Sequence, residues 1–394
     1  MNSSYSFDIT IDRKGTNSVK HDEIMKVFGT TDILPMWVAD MDLPTPDFIL
    51  DAIKKRCDQK VLGYSIIPES WNQAICSWVK RRHSWAVEAN EIGFIPGIVS
   101  GIALAIQCFT KPGDKILIQS PVYHPFMHLP VNNSRELAIS QLIYNDRSFQ
   151  IDFDDFEKKA ASGCKLFILC NPHNPGGRVW SESELEKMAE ICIRHGIIII
   201  SDEIHADLTL PGFKHHPIAS LNEDIANQVI TLMAPSKTFN IPGLSSSFCV
   251  IHNPTLRKKF KDYLDLAELA YGNIFAITAA QAAFENGDKW LDQLTQYLQN
   301  NINYVDKFLN ENIPGITACL PQASYLIWLD CKKLNLSDEE LKQFFIKKAK
   351  LGLNAGTTYG PGGEGFMRMN LGCTIATVKQ AMSQLKTAVI GSNF

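Results

Sequence analysis

Leu166-Phe167-Ile168-Leu169-Cys170, then Ser181 to Cys192, then Ile197-Ile198-Ile199-Ile200-Ser201-Asp202 read in order as strand, helix and strand. Both strand runs are almost continuously apolar, the pattern of a strand covered on two faces. Between them Ser181 opens a capping box with Glu184. Leu185, Met188, Ala189 and Cys192 follow at helical spacing, and Gly196 stands where a C-terminal cap belongs. Working outward, Lys115-Ile116-Leu117-Ile118-Gln119, Val229-Ile230-Thr231-Leu232-Met233 and Phe248 to Ile251 are further strand runs. This alternation predicts an α/β fold with a largely parallel sheet covered by helices. In such sheets ligands gather at the carboxyl ends of the strands.

The flanks differ. Residues after about 285 read as long helices around a short strand, Tyr325 to Leu329. Ser337 and Glu340 make a second capping box, followed by Leu341, Phe344, Phe345 and Lys348. The first 45 residues show little periodicity, and Thr45-Pro46 reads as N-cap and first residue of a helix. We therefore expect a large domain over 46–285 and a small domain built from 1–45 and 286–394.

The chain has 394 residues, 45% hydrophobic and 20% charged, which is globular composition with length for such a pair of domains. A net charge of -4 supplies no basic surplus for nucleic acid or a membrane surface. The apolar runs are strand length, short of a bilayer span. No charged segment followed by an apolar one opens the chain, so no signal peptide is expected. Ten cysteines, among them Cys108, Cys170, Cys192 and Cys249, show no C-x-x-C spacing. They read as buried free thiols of a reducing compartment, which predicts a cytoplasmic protein.

The residues at the strand ends carry the chemistry. Lys237 lies in Ala234-Pro235-Ser236-Lys237-Thr238-Phe239-Asn240-Ile241-Pro242-Gly243, just beyond a strand run. It is either a solvated loop lysine or an amine that forms a Schiff base with a carbonyl cofactor. Asp202 is either a helix N-cap or a functional charge at the sheet's edge. Asn174, in Asn171-Pro172-His173-Asn174-Pro175-Gly176-Gly177, is a turn residue or a ligand contact. Gly97-Ile98-Val99 opens an apolar helix, and is either a helix start with a packing glycine or a turn whose backbone N–H groups hold a phosphate. Tyr123 reads as a core aromatic or a stacking platform. Arg368 reads as an edge-strand surface residue or a carboxylate clamp.

Taken together, in order and over nearly the whole chain, these pieces resemble the fold-type I pyridoxal phosphate (PLP) enzymes, aminotransferase class I/II. The likeness is closest to the MalY/PatB branch of cystathionine β-lyases and C–S lyases. Carrying it are Met36-Trp37-Val38-Ala39-Asp40-Met41-Asp42 with Pro44-Thr45-Pro46, Gly63-Tyr64-Ser65, Asn171 to Trp180, Ser201 to Asp207, Ser236 to Pro242 and Gly363 to Asn370. The resemblance implies a mostly parallel seven-stranded sheet and a set of roles. Lys237 would hold PLP and move the substrate's Cα proton. Asp202 would pair with the pyridinium nitrogen, Asn174 would bond the ring's O3′, and Tyr123 would stack on the ring. Gly97, Ile98, Val99 and Ser236 would hold the phosphate. Tyr64 would reach the neighbouring subunit's cofactor, which implies a homodimer. Arg368 would clamp the α-carboxylate, helped by backbone near Val38 and Ala39.

Two positions depart from the broader family. His205 stands where many members carry tyrosine, and Ser245 where many carry a phosphate-binding arginine. The phosphate site is then short of one cation. His205 either tunes O3′ or is a satisfied core histidine. His124, beside Tyr123, either protonates a departing sulfur or lines the mouth of the site. The branch implies α,β-elimination from cystathionine or another S-substituted cysteine, giving a thiol, pyruvate and ammonia. The alternatives are an aminotransferase, or a PLP-loaded regulatory protein with incidental lyase activity. The histidines show no metal-site spacing, so no metal is expected. Neither a P-loop nor a dinucleotide fingerprint is present.

Overall fold

Alternate residues of the apolar runs feed two separate cores, and this makes them strands. A computed structural model of the protein describes residues 5–392. The main sheet has seven strands: β1 (Ile92–Ile95), β2 (Lys115–Ser120), β3 (Glu136–Gln141), β4 (Cys164–Cys170), β5 (Ile198–Asp202), β6 (Val229–Met233) and β7 (Ser247–Val250). Their spatial order is β1-β7-β6-β5-β4-β2-β3. The run from β6 to β3 is parallel throughout, and β7 is antiparallel to both of its neighbours. In β4, Phe167 and Leu169 enter one core while Leu166 and Ile168 enter the other. Ile199 and Ile200 of β5 divide in the same way. With both faces buried, polar alternation disappears and the strand reads as one apolar run.

The Ile98–Phe109 and Pro254–Leu266 helices cover one face with Ile102, Ala105, Ile106, Phe260 and Leu264. The other face packs against the Glu182–Arg194 helix, which has the capping box read from the sequence. Gly196 takes the left-handed conformation just past its end.

A second sheet follows in the chain: β8 (Thr317–Cys319), β9 (Leu326–Asp330), β10 (Asn354–Ala355) and β11 (Phe366–Asn370), antiparallel in the order β8-β9-β11-β10. The helices Asp288–Asn312 and Ile375–Ile390 pack with it, and its core is continuous with that of the main sheet. Leu34–Pro35 pairs in parallel with Leu351–Gly352, so residues near both ends of the chain meet here.

Several local expectations change. The last third of the chain holds more strand than its pattern shows, because β8 and β10 are too short for period-two alternation to register. The first helix after Thr45 is Asp47–Cys57 with Pro46 at the N-cap. Thr45 does not cap it, because its hydroxyl donates to the Asn240 carbonyl instead. The segment after Ser337 is an α-helix only to Gln343, and a π turn takes over at Phe344–Lys348. β11 is an interior strand paired on both sides, so Arg368 is not an edge-strand surface residue. All ten cysteines are free, and Cys170, Cys192 and Cys249 are buried. Three depart from the expected burial: Cys57 is exposed, and Cys76 and Cys108 are only partly buried. Among the described residues no helix is long and apolar enough to cross a membrane.

Gly177 ties the Asn174 loop to the second sheet. Its carbonyl accepts from the Gln322 and Ala323 N–H groups, and its φ is +66°. An added Cβ would lie 2.4 Å from Pro321 Cβ and 2.8 Å from Pro321 Cα. Gly177→Ala combines left-handed strain with a backbone clash and should cost about 2–4 kcal/mol in urea unfolding. Gly212→Ala, at φ +93° with nothing within 4 Å, should lose distinctly less.

Candidate active site

β1, β2, β4, β5 and β6 all end on one edge of the main sheet, and β7 begins there. The loops leaving that edge line a cavity of about 230 Å³. Gly97, Tyr123, Asn174, Asp202, His205 and Lys237 all line it. Residues spread over 140 positions of sequence thus converge, because parallel strands present their carboxyl ends together.

Lys237 reaches this place by way of β6, which is buried along its whole length. Pro235 begins a single α turn, Pro235–Thr238, and the lysine projects from it. Its Nζ donates to the Ala39 carbonyl at 2.5 Å. Burial strips water from the ammonium and brings its pKa down to about 8, with the positive charge of Arg368 adding to the effect. This is therefore not a solvated loop lysine.

Asp202, the last residue of β5, has the opposite shift. Burial pushes its carboxyl up to about 7, although the Ile204 N–H donates to Oδ1 at 3.0 Å and Lys237 lies near. His205 is buried, and desolvation, then Lys237 and Arg368, bring it down to about 3, so it is neutral. Its Nδ1 has no hydrogen-bond partner. It is not a satisfied core histidine.

Arg368 is 4% exposed and donates to three acceptors from three segments. They are Asn174 Oδ1 at 3.1 Å, the Trp37 carbonyl at 2.8 Å and Asn354 Oδ1 at 2.9 Å. Its guanidinium also sits 5.0 Å from the Tyr359 ring centre. Its Nε is left without a partner. With Asn174 Oδ1 occupied by Arg368, the Nδ2 donor of that amide is left for the cavity. Tyr123 lines the cavity, and burial raises its phenol above the ordinary range.

Gly97 is the N-cap of the Ile98–Phe109 helix at φ 155°, ψ 156°, a conformation close to glycine-only. That geometry turns the unpaired N–H groups of the helix's first turn into the cavity, which Ile98, Val99 and Ser100 line. Ser236 is beside them, as are Ser245, Ser246 and Ser247. Hydroxyls and peptide N–H groups make this end of the cavity, with no arginine among its lining residues.

Four expected residues lie outside the cavity's lining: Arg368, which meets that lining through its bond to Asn174, and Tyr64, Val38 and His124. Tyr64 is fully exposed in an extended segment with no contact to this chain's own site. Val38 borders the adjoining cleft on the other side of Lys237, which Ala39 shares with the main cavity. His124 packs on Tyr123 at 5.0 Å, and burial, then His128, bring it down to about 4. As a neutral ring it has no imidazolium proton to give near neutral pH.

Sequence reasoning missed Asn354, Tyr325 and Asn370. Asn370 Nδ2 donates to the Val38 and Asp40 carbonyls at 2.5 and 2.7 Å, and Tyr325 Oη donates to the Ala39 carbonyl at 2.9 Å. Asn370 had a signal, since it lies two residues after Arg368 and shares its face of a strand. Asn354 and Tyr325 had none. His215 and His216 each pair with a glutamate, Glu203 and Glu182. No metal-binding cluster occurs among the described residues.

The residues fit pyridoxal phosphate. A helix N-terminus faces one end of the cavity, a buried carboxylate and an amine face its middle, and the orphaned His205 Nδ1 and Arg368 Nε mark places for acceptors.

The family model for aminotransferases of class I and II matches residues 31–385. The chain is 46% identical over 385 residues to cystathionine beta-lyase PatB of Bacillus subtilis, covering 98% of this chain and 100% of that one. It is 32% identical over 388 residues to protein MalY of Escherichia coli, covering 98% and 99%. Its fold superposes with a TM-score of 0.92 on the PLP-bound C–S lyase of Staphylococcus hominis, at 34% identity and 99% coverage of both chains. The family expected from the motifs is the one matched.

The Asp202 shift predicts a pH signature of the cofactor-free protein. The folded carboxyl holds its proton up to about 7, against 3.8 ordinarily. Rising pH between these values removes the proton from the unfolded chain first, so stability falls across that window and the loss is complete above about 7. Asp202→Asn has no such proton. Cofactor-free Asp202→Asn should unfold at higher urea than wild type at pH 8, with the gap closing toward pH 4.

Proposed function

The chain belongs to the class I and II aminotransferase family, and from that membership and the geometry of its site we propose that it is a PLP-dependent carbon–sulfur lyase. The substrate is cystathionine or another S-substituted cysteine. The products are a thiol, pyruvate and ammonia, with one water consumed. One observation carries the reading: a half-buried lysine whose amine desolvation brings down to about 8 shares a cavity with a buried carboxyl group and the first turn of a helix. The relatives whose names state this activity span the whole chain.

When bound, PLP supplies an electron sink that lets the Cα–H bond and then the Cβ–S bond of an amino acid break. Lys237 would hold the group through Nζ and, once the substrate's amine has displaced it, would take the Cα proton on the freed atom. Asp202 would keep a proton on the ring nitrogen. Asn174 Nδ2 would donate to O3′, with His205 beside it. Tyr123 would cover the ring and orient it. The N–H groups of Ile98 and Val99 after Gly97, with the Ser236 hydroxyl, hold the phosphate. Arg368, fixed by Asn174, Asn354 and the Trp37 carbonyl, presents its free Nε to the α-carboxylate. Ala39 and Val38 wall the substrate's side of the lysine. His124, being neutral, shapes the mouth behind Tyr123 and donates no proton.

The same reading has a homodimer, with Tyr64 entering the neighbouring subunit's site. Val61, Leu62 and Ile66 are exposed along the same segment, an apolar strip that needs cover. It also has a large domain over 46–285, a small one over 1–45 and 286–394, and a cytoplasmic location, which ten free thiols suit.

Purified enzyme with cystathionine should release pyruvate and homocysteine in equal amounts without any keto acid, and Lys237→Ala should release neither above background. Turnover that instead requires a keto-acid acceptor would identify an aminotransferase. Arg368→Lys keeps the charge but loses the fork, and kcat/KM should fall about 30- to 1000-fold, mostly through KM.

A further inference from the structure

Thr238 follows Lys237 directly and is fully buried. Its hydroxyl donates to Asp207 Oδ2 at 3.0 Å. Asp207 Oδ1 accepts from Trp78 Nε1 at 2.9 Å and meets His83 Nε2 at 2.8 Å. Burial would raise this carboxyl, but the three donors outweigh it and leave the group below the ordinary carboxylate range. Asp207 is thus a buried anion, and it does not line the cavity. Trp78 and His83 both come from the Glu69–His83 helix, whose inner face belongs to the main core.

The cluster continues toward Asp202. The His83 ring meets the His215 ring edge-on at 5.5 Å, and His215 Nε2 lies 2.8 Å from Glu203 Oε2. Burial raises Glu203 to about 8 and holds His215 neutral, so these two form an uncharged pair. Glu203 also accepts from Ser201 Oγ and the Ile218 N–H. Each of the two charged residues at the middle of the site therefore has a chain neighbour tied into one buried polar cluster, Thr238 for Lys237 and Glu203 for Asp202. On its other side the lysine turn is pinned by Asn240, which donates to the Met41 and Leu43 carbonyls and accepts the Met41 N–H.

A carboxylate fixed by donors from three directions has one orientation, and it passes that orientation to whatever it holds. We propose that Asp207 is a positioning residue that acts through the Thr238 hydroxyl to fix Lys237 Nζ against Asp202. The role rests on the reading of Lys237 as the cofactor's anchor. Placement matters here because small misalignments of reacting atoms cost large factors in rate.

Thr238→Val removes the hydroxyl at nearly constant shape, and Thr238→Ser returns it. Capture of PLP by the cofactor-free protein, followed by visible absorbance, should slow about tenfold or more in Thr238→Val, the loss expected for a hydrogen bond to a charged group. Thr238→Ser should capture at close to the wild-type rate. Leu309→Ala, in the core at the far end of the Asp288–Asn312 helix, 19 residues beyond the Trp290 that packs on Phe239, supplies a control for general destabilisation and should capture normally. Equal capture by Thr238→Val and wild type, or a slowing matched by Leu309→Ala, overturns the proposal. Should Thr238→Val not fold, Asp207→Asn keeps an acceptor for Trp78 and His83 and is read in the same way. If wild type itself takes up no PLP, the reading of Lys237 is what fails. The positioning is then decided in the cofactor-free protein, by whether the pH midpoint of Lys237 amine labelling differs between Thr238→Val and wild type.

Discussion

Burying one sheet on both faces is the constraint from which the rest of the molecule follows. Such a sheet needs apolar residues at nearly every strand position, and Ile199, Ile200, Phe167 and Ile168 supply them to two cores. No polar chemistry fits within those layers. It is confined to the edge where the parallel strands end. Cys170, Asp202 and Met233 are the last residues of three adjacent strands, and the functional loops begin there. The helix N-terminus at Gly97 opens on the same edge, so an anion and a cation-bearing ring have complementary places before either is bound.

The site's charges are held in an unfavourable state until a ligand arrives. Lys237 is depressed, Asp202 is raised and His205 is neutral, in each case chiefly because burial removes water. Arg368 adds its field to the lysine and to both histidines near it. A planar ligand with a phosphate at one end and a cationic nitrogen at the other relieves several of these penalties together. Preorganisation of this kind costs stability in the empty protein and gives affinity and orientation in the full one.

A strap of N-terminal chain closes the site from the side of the second sheet. The carbonyls of Trp37, Val38, Ala39 and Asp40 accept, in turn, from Arg368, Asn370, Lys237 with Tyr325, and Asn370 with Lys20. Lys20, 1% exposed, bridges Asp40 and Asp42, and Arg13 joins the same two carboxylates. Strap, second sheet and lysine turn are therefore coupled through short polar contacts, and the substrate's side of the cavity is shaped by all three.

Periodicity, capping boxes and strand-end position are local properties, and they were legible from the amino acids. The apolar runs gave β2, β4, β5 and β6 nearly to the residue, and the ordered motifs pointed to Lys237, Asp202, Asn174, Tyr123, Gly97 and Arg368. Short strands such as β8 and β10 carry too few residues for a period to show. The choice between surface and clamp for Arg368 depended on whether β11 lay at an edge, which is a property of sheet order. The buried cluster of Thr238, Asp207, His83, His215 and Glu203 had no linear signature, because its members are gathered from four segments by packing. The sequence by itself determined the fold class and the residues able to do chemistry, since both follow from pattern and side-chain type. Only the tertiary structure decided their protonation, partners and orientation, since burial and neighbours from distant segments set all three.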